Sequence, residues 1–457
     1  MTLDKEIFRA YDIRGIVDSQ LNDQTIYQLG QALGTEALIQ GSDSLITARD
    51  GRLSSPALMP VLQVGILSTG CNVIDIGMVP TPILYFGTHY LPCNSGVMLT
   101  GSHNPANYNG IKPIIDGKNL DADAILALYD RIQEGDFYCG NGRLQTVDIS
   151  EAYLEKITAH IVLKRPIKVV IDCANGATGH IAPQLFERLG CELISLYTDI
   201  DGHFPHHHPD PSVPANMHDL IAAVKTHQAD IGFAFDGDGD RLGMVTNEGE
   251  IIWPDRQLAL FAKDILPRHP GSTIVYDVKC SNLVKNTILE QGGRPLMYKT
   301  GHTLIKNKMM ETDSPLSGEM SGHIYFKERW FGFDDGLYTG ARFLEILTHQ
   351  SKSSADLFRE ISAGVNTPEL KLSMPENRKF SFIDALFKEA RFEDAEMTTI
   401  DGLRIDLKES WGLVRASNTT PHLIFRFEGD DEAALIDIQH RFRAWMLQVD
   451  NTLELPF

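Results

Sequence analysis

The sequence predicts a layered α/β architecture followed by a smaller α+β domain. Three successive stretches, each of roughly 100 residues, alternate short β-rich apolar runs with amphipathic helical patterns, the signature of βαβ units. The chain after NTPEL, Asn366 to Leu370, breaks that alternation. At 457 residues the chain has room for about three domains, with two to four all compatible. Hydrophobic residues make up 43% and charged residues 22%, a composition that can bury real cores.

The elements follow in order. The first stretch holds SLITARD, a helix from about Ser54 to Thr69, NVIDIG, a helix near Thr81 to Tyr90 and the strand SGVMLTGS. A linker, LKRP at Leu163 to Pro166, leads into the strand IKVVIDCANG, a helix ending at Gly190, CELISLY, a helix from about Met217 to His227, and DIGFAF. The third runs from STIVYDV through a helix near Asn282 to Glu290, PLMYKTGH, a second helix, GEMSGHIYF, and a helix after Asp334. In the last part a helix near Phe382 to Ala390, a strand-turn-strand from Thr398 to Ala416, HLIFRF and an amphipathic helix from Glu432 to Leu447 give an α+β pattern. Each α/β stretch ends a strand in a polar, glycine-containing loop.

Charge narrows the function. With 41 basic and 61 acidic residues the net charge is −20, so nucleic acid and anionic lipid surfaces are excluded as partners, because binding them rests on Lys and Arg displacing counterions. An anionic small molecule must then be held by local basic clusters. The six cysteines form no CxxC pair and read as reduced thiols. The N-terminus carries no signal-peptide pattern and no apolar run is long enough to span a bilayer, which gives a cytoplasmic expectation.

Four motifs carry chemistry. TGSHNP, Thr100 to Pro105, sits where an apolar strand stops; a serine beside Gly101 and His103, on a turn with outward amides, suits a nucleophile that must approach a phosphoryl group. A polar Ser or Asx turn is the alternative. DGDGDR sets Asp236, Asp238 and Asp240 at alternate positions, where an extended loop would converge them on a hard divalent cation. A calcium EF-hand fails twice: its sixth position is Arg241 instead of Gly and its twelfth Asn247 instead of Glu. GEMSGH interleaves Glu319, Ser321 and His323, again on one side if extended, and matches recognition of sugar hydroxyls as well as it matches a polar strand edge. RASNTTP packs Arg415, Ser417, Asn418, Thr419 and Thr420 into a turn fit for a phosphate or for ordinary solvation. Tyr11, Arg14, Lys112, Lys279, Lys299 and His302 are uninformative one by one. The histidines of GHFPHHHPDP lack zinc-ligand spacing and read as a loop.

The ordered set FRAYDIRG, TGSHNP, DGDGDR, GEMSGH and RASNTTP resembles the α-D-phosphohexomutase superfamily over almost the whole chain. The Met of GEMSGH, the following FKERWFGFDDG and the KTGH segment look most like its bacterial phosphomannomutase/phosphoglucomutase branch. The resemblance implies four domains around a central cleft, three related mixed α/β sandwiches and a C-terminal α+β domain, which places them at 1–150, 151–252, 253–366 and 367–457. It implies reversible phosphoryl transfer between C1 and C6 of hexose phosphates, mannose or glucose, through phosphorylated Ser102 and a hexose 1,6-bisphosphate that also serves as activator. Carried over by motif, Asp236, Asp238 and Asp240 would bind Mg2+ with a Ser102 phosphate oxygen, and Glu319, Ser321 and His323 would meet the sugar. Arg415, Ser417, Asn418 and Thr419 would hold the non-reacting phosphate. Arg14, Tyr11, Lys112, Arg241 and His302 would line the reacting end, with Lys279 and Lys299 nearby. A monomer or dimer is expected, with a small phosphosugar as sole partner. A phosphoglucosamine mutase and a magnesium-dependent sugar phosphatase are the alternatives.

Overall fold

The computed structural model describes residues 3–361, 364–417 and 420–457. Strand Ser44–Arg49 lies between Asn72–Met78 and Gly96–Leu99, parallel to both, and Tyr108–Ile115 runs antiparallel beyond Gly96–Leu99. Lys168–Asp172 takes the same central place in a second sheet, between Glu192–Leu196 and Ile231–Phe235, with Leu242–Thr246 reversed at the far side. In a third sheet Thr273–Asp277 lies between Arg294–Tyr298 and Leu316–Gly318, and Ile324–Phe326 is reversed. The same strand order thus occurs three times. The central strands Lys168–Asp172 and Thr273–Asp277 are Val- and Ile-rich and almost wholly buried, as expected of parallel strands covered on both faces.

This repetition positions the chemistry. In each domain the third parallel strand hands over to the reversed fourth through one turn, and each turn is a motif: TGSHNP after Gly96–Leu99, DGDGDR after Ile231–Phe235, and EMSGH after Leu316–Gly318. Ligand sites of α/β sheets form at the carboxyl ends of such strands.

The fourth domain is an antiparallel sheet of Val365–Asn366, His422–Gly429, Ser410–Ala416, Leu403–Asp406 and Glu396–Thr398, with Leu370–Ser373 also paired to His422–Gly429. Helices Glu376–Glu389 and Glu432–Val449 cover it. The expected strand-turn-strand from Thr398 to Ala416 is instead three strands, because Gly402 adopts φ 78°, a conformation glycine takes without strain, and reverses the chain early.

The first three domains share a core. Trp330, from the FKERWFGFDDG segment, stacks on Tyr338 at 4.4 Å and on Phe86 at 6.2 Å, and Tyr153 meets it edge-on. Helix Thr81–Tyr90, helix Ser150–Thr158 and the third domain are joined by these rings. The fourth domain keeps its own core and grips the third through Arg404, which stacks on Trp411 at 3.8 Å and donates to the carbonyls of Val278 and Cys280 at 2.7 Å. Arg426 donates to the intervening carbonyl of Lys279 and pairs with Asp255 at 2.9 Å.

Candidate active site

Ser102 occupies the left-handed backbone region at φ 48°, which a non-glycine residue adopts only when its surroundings enforce it. The enforcing contacts are local and distant. The Ser102 amide donates to Thr100 Oγ1 at 2.8 Å, and Asp50 accepts from Thr100 Oγ1 at 2.8 Å and from the Gly101 amide at 3.1 Å. From beneath, the Arg52 guanidinium donates to the carbonyls of Ser102, Asn104, Pro105 and Tyr108. The Ser102 hydroxyl is thereby aimed at the second domain, 3.1 Å from Asp236 Oδ2 and 3.1 Å from His103 Nδ1.

The acidic loop is held by all three α/β domains. Its carbonyls at Gly237, Asp238 and Gly239 accept from the amides of Ala177 at 2.9 Å, Thr81 at 2.8 Å and Gly336 at 3.1 Å. Each of these amides opens a helix: Ala177–His180, Thr81–Tyr90 and Gly336–Thr348. Helix N-termini carry partial positive charge, so their convergence offsets the burial of three carboxylates. The loop is a turn, not the extended strand that alternate spacing implies: Gly239 has φ 78° and donates to both the carbonyl and Oδ1 of Asp236. The carboxylates converge because the backbone folds around Asp236.

The side chains of Asp236, Asp238 and Asp240 are fully buried and approach within 4.8 Å of one another. Lys112 Nζ bridges Asp238 at 2.7 Å and Asp240 at 2.5 Å, and Arg241 lies 3.8 Å from Asp236. Burial, with the charges of Asp240 and Asp238, pushes Asp236 well above the usual carboxylate range. Asp238 is held below that range despite its burial, because Lys112 donates to it. One oxygen each of Asp238 and Asp240 lacks a hydrogen-bond partner among the described residues. Buried, mutually repelling, partly unpartnered and all-oxygen, this set fits a hard divalent cation.

Above the loop lies a cavity of about 390 Å³, lined from all four domains. That size suits a small ligand. Its cations are Arg14, Lys112, Arg241, Lys279, Lys371 and Arg415, against the acids Asp210, Glu319 and Glu369. The lining carries more cations than acids, and the three aspartates beneath it offset that excess unless a divalent cation neutralises them, which is what retention of a polyanion by a protein of net charge −20 requires. His103 and His302 are pushed well below the usual imidazole range by burial; nearby cations lower both further, although Asp334 pulls His302 the other way. Tyr11 packs edge-on against His302 with ring centroids 5.0 Å apart.

Glu319, Ser321 and His323 lie in a tight turn, not an extended edge, since the Gly322 amide donates to the Glu319 carbonyl at 3.1 Å. Glu319 is fixed by the Tyr325 hydroxyl at 2.5 Å and the Gly301 amide at 3.0 Å, and the Ser321 hydroxyl has no hydrogen-bond partner among the described residues. His323 Nε2 lies 3.0 Å from Arg241 Nε, with Nδ1 2.9 Å from Asp334. At the far end Arg415 pairs with Asp401 at 3.0 Å, Ser417 lines the cavity, and Lys279 pairs with Glu369 at 2.5 Å.

Most of the expected site residues therefore meet. Tyr11, Arg14, Ser102, Lys112, Arg241, Lys279, His302, Glu319, Ser321, His323, Arg415 and Ser417 line one cavity, with the three aspartates beneath it. Lys299 does not: it is exposed and outside the lining, because the chain turns inward only at Thr300, whose hydroxyl donates to Asp277 at 2.9 Å. Asn418 and Thr419 lie outside the described residues. Sequence reasoning missed Asp50, Arg52, Thr81, Asp334 and Lys371; of these, Asp50 and Arg52 flank the glycine of DGRLS and Asp334 lies in FKERWFGFDDG, and these were the local signals on offer. The histidines of the GHFPHHHPDP loop take separate partners, His203 with Asp201, His206 with Asn175 and His207 with Asp172, consistent with a loop.

Comparison with known proteins agrees with this layout. The phosphoglucomutase/phosphomannomutase alpha/beta/alpha domains I, II and III match residues 5–139, 151–249 and 253–363, and the C-terminal domain of that family matches 369–444. A phosphomannomutase/phosphoglucomutase of Pseudomonas aeruginosa is 51% identical over 456 residues, covering 100% of this chain and 98% of the relative. A phosphoglucomutase of Neisseria gonorrhoeae is 48% identical over 447 residues, covering 97% of each. The crystal structure of a phosphoglucomutase/phosphomannomutase family protein from Burkholderia thailandensis superposes with a TM-score of 0.95 at 48% identity, covering 100% of both chains. A chain matched from end to end in this way belongs to the phosphoglucomutase/phosphomannomutase family.

Proposed function

We propose that this protein is a phosphomannomutase/phosphoglucomutase that interconverts hexose 1-phosphates and 6-phosphates, with Ser102 as the phosphoryl carrier. The observation that carries the reading is the Ser102 hydroxyl 3.1 Å from Asp236, at the floor of a cation-rich cavity. Phosphorylated Ser102 gives its phosphoryl group to the free C1 or C6 hydroxyl of a bound hexose phosphate. The product, a hexose 1,6-bisphosphate, turns over within the cavity, and Ser102 Oγ takes the other phosphoryl group back. Free bisphosphate serves as activator by phosphorylating Ser102.

Asp236, Asp238 and Asp240, with a phosphoserine oxygen, would hold Mg2+, which supplies charge neutralisation at the transferring group when bound. Arg14 and Arg241 offset the remaining charge at that end. Arg415 and Ser417, with Asn418 and Thr419, hold the phosphate that is not reacting, and Glu319 and Ser321 meet the ring hydroxyls in either orientation. Deprotonation of the attacking sugar hydroxyl falls to His302, whose ring burial keeps neutral, since Lys112 is held as an ammonium by Asp238 and Asp240 and the guanidinium of Arg14 cannot give up a proton.

A coupled assay with mannose 1-phosphate and glucose 1-phosphate, with and without EDTA and a trace of bisphosphate, tests the reading. EDTA-sensitive, bisphosphate-stimulated isomerisation is expected. Release of inorganic phosphate at a comparable rate would indicate a sugar phosphatase. Turnover confined to glucosamine phosphates would reassign the substrate.

A further inference from the structure

We infer that Arg52 is a positioning residue for phosphoryl transfer: it never touches the cavity, yet its guanidinium fixes the backbone of the loop that presents Ser102. This rests on Ser102 being the phosphoryl carrier. Arg52 lies between strand Ser44–Arg49 and helix Ser55–Leu67, its side chain 1% exposed. One terminal nitrogen donates to the carbonyls of Pro105 at 2.6 Å and Tyr108 at 3.0 Å, the other to those of Asn104 at 2.6 Å and Ser102 at 2.9 Å.

Four carbonyl dipoles aimed at one point repel one another unless a planar fork of donors stands there. Arg supplies that geometry and Lys does not. The loop also rests directly on the fork: a Cβ on Gly101 would fall 2.2 Å from Arg52 Nε and 2.3 Å from Cζ, so only glycine permits this approach. Asp50 lies 3.3 Å from Nε and, on the same carboxylate oxygen, accepts from Thr100 and Gly101, so one ion pair grips the loop on both sides of its strand junction. From the second domain the Phe204 ring faces the guanidinium at 5.4 Å. The clamp therefore sits at the seam between the domain that carries the hydroxyl and the domain that carries the aspartates.

Releasing the carbonyls frees Ser102 from its left-handed conformation and lets Oγ move away from Asp236, while the groups that bind sugar and phosphate stay where they are. The test is steady-state kinetics and single-turnover phosphorylation by glucose 1,6-bisphosphate for Arg52→Lys, Gly101→Ala and Ser102→Ala, with circular dichroism to verify folding. Arg52→Lys and Gly101→Ala are expected to lower kcat and the Ser102 phosphorylation rate about tenfold to hundredfold, with KM for the hexose phosphate within about threefold of wild type. Should Arg52→Lys fail to fold, Gly101→Ala decides alone, because it keeps the guanidinium in the chain while its Cβ forces guanidinium and loop apart. Wild-type kcat in a folded variant, or a rise in KM at constant kcat, overturns the inference. An active Ser102→Ala would instead overturn the phosphoserine reading on which it stands.

Discussion

Gly237 is where the acidic loop touches the nucleophile loop, and Gly237→Ala shows how little slack exists there. A Cβ at this position would lie 2.4 Å from the Ser102 carbonyl oxygen and 3.3 Å from its carbon, about 1 Å short of ordinary contact with the oxygen. Neither side can yield cheaply. The acidic loop is pinned by the amides of Ala177, Thr81 and Gly336, and the Ser102 carbonyl by Arg52. The methyl group is expected to destabilise the fold by about 1–3 kcal/mol, the usual cost of overpacking. Its effect on chemistry is larger, because a misplacement of about 1 Å between nucleophile and electrostatic partner costs on the order of a hundredfold in rate. Glu319 and Arg415 belong to the third and fourth domains, so KM for the sugar phosphate should hardly change. Coupled assays at saturating Mg2+, over a range of glucose 1-phosphate, measure both constants. A folded Gly237→Ala with kcat within about threefold of wild type would refute the argument that the two loops are held in fixed register.

Two other outcomes probe the far end of the cavity. On the proposed role of Arg415 as a phosphate donor, Arg415→Ala should raise KM by about tenfold or more with a smaller change in kcat; an unchanged KM would remove it from the phosphate site. Glu369 is held down to about 2, despite partial burial, by Lys279, across the contact between third and fourth domains. Its unfolded value is higher, so the pair stabilises the native state above about pH 4.5, and that contribution is lost as pH falls toward 2. Allowing for solvent screening at a side chain 31% exposed, it is worth about 1–2 kcal/mol. Thermal melts of wild type and Glu369→Gln should therefore differ at pH 7 and converge in acid. A gap that stays constant between pH 7 and 3 would contradict this.

What the sequence revealed and what it hid follow from range. TGSHNP, DGDGDR, GEMSGH and RASNTTP each compress their chemistry into one short segment, so residue types and spacing were visible without a fold. The geometry inside them was not. Alternate spacing implied extended loops, whereas Gly239 and Gly322, both with positive φ, fold two of them into turns. The supporting groups were hidden because their partners are remote in sequence: Thr81 donates to Asp238 at 2.6 Å from 157 residues away, and Arg52 reaches the Ser102 carbonyl across 50. Lys279 and Lys299 looked alike as isolated cations. Only the fold separates them, since the fourth domain clasps the loop bearing Lys279 and leaves Lys299 in solvent. The fold class was legible because apolar β-rich runs recur with helices between them; the reversed strands Tyr108–Ile115 and Leu242–Thr246 were not read, because a glycine interrupts the apolar pattern of each.

The claim on which all else depends is that Ser102 carries the phosphoryl group. Purified protein and its Ser102→Ala variant, each incubated with glucose 1,6-bisphosphate and Mg2+, can be weighed intact and mapped by peptide mass spectrometry. One added phosphoryl group, on the peptide containing Ser102, is expected in the unaltered protein and none in the variant. A variant that still takes up one phosphoryl group, or an unaltered protein that isomerises hexose phosphates without ever bearing one, would contradict it.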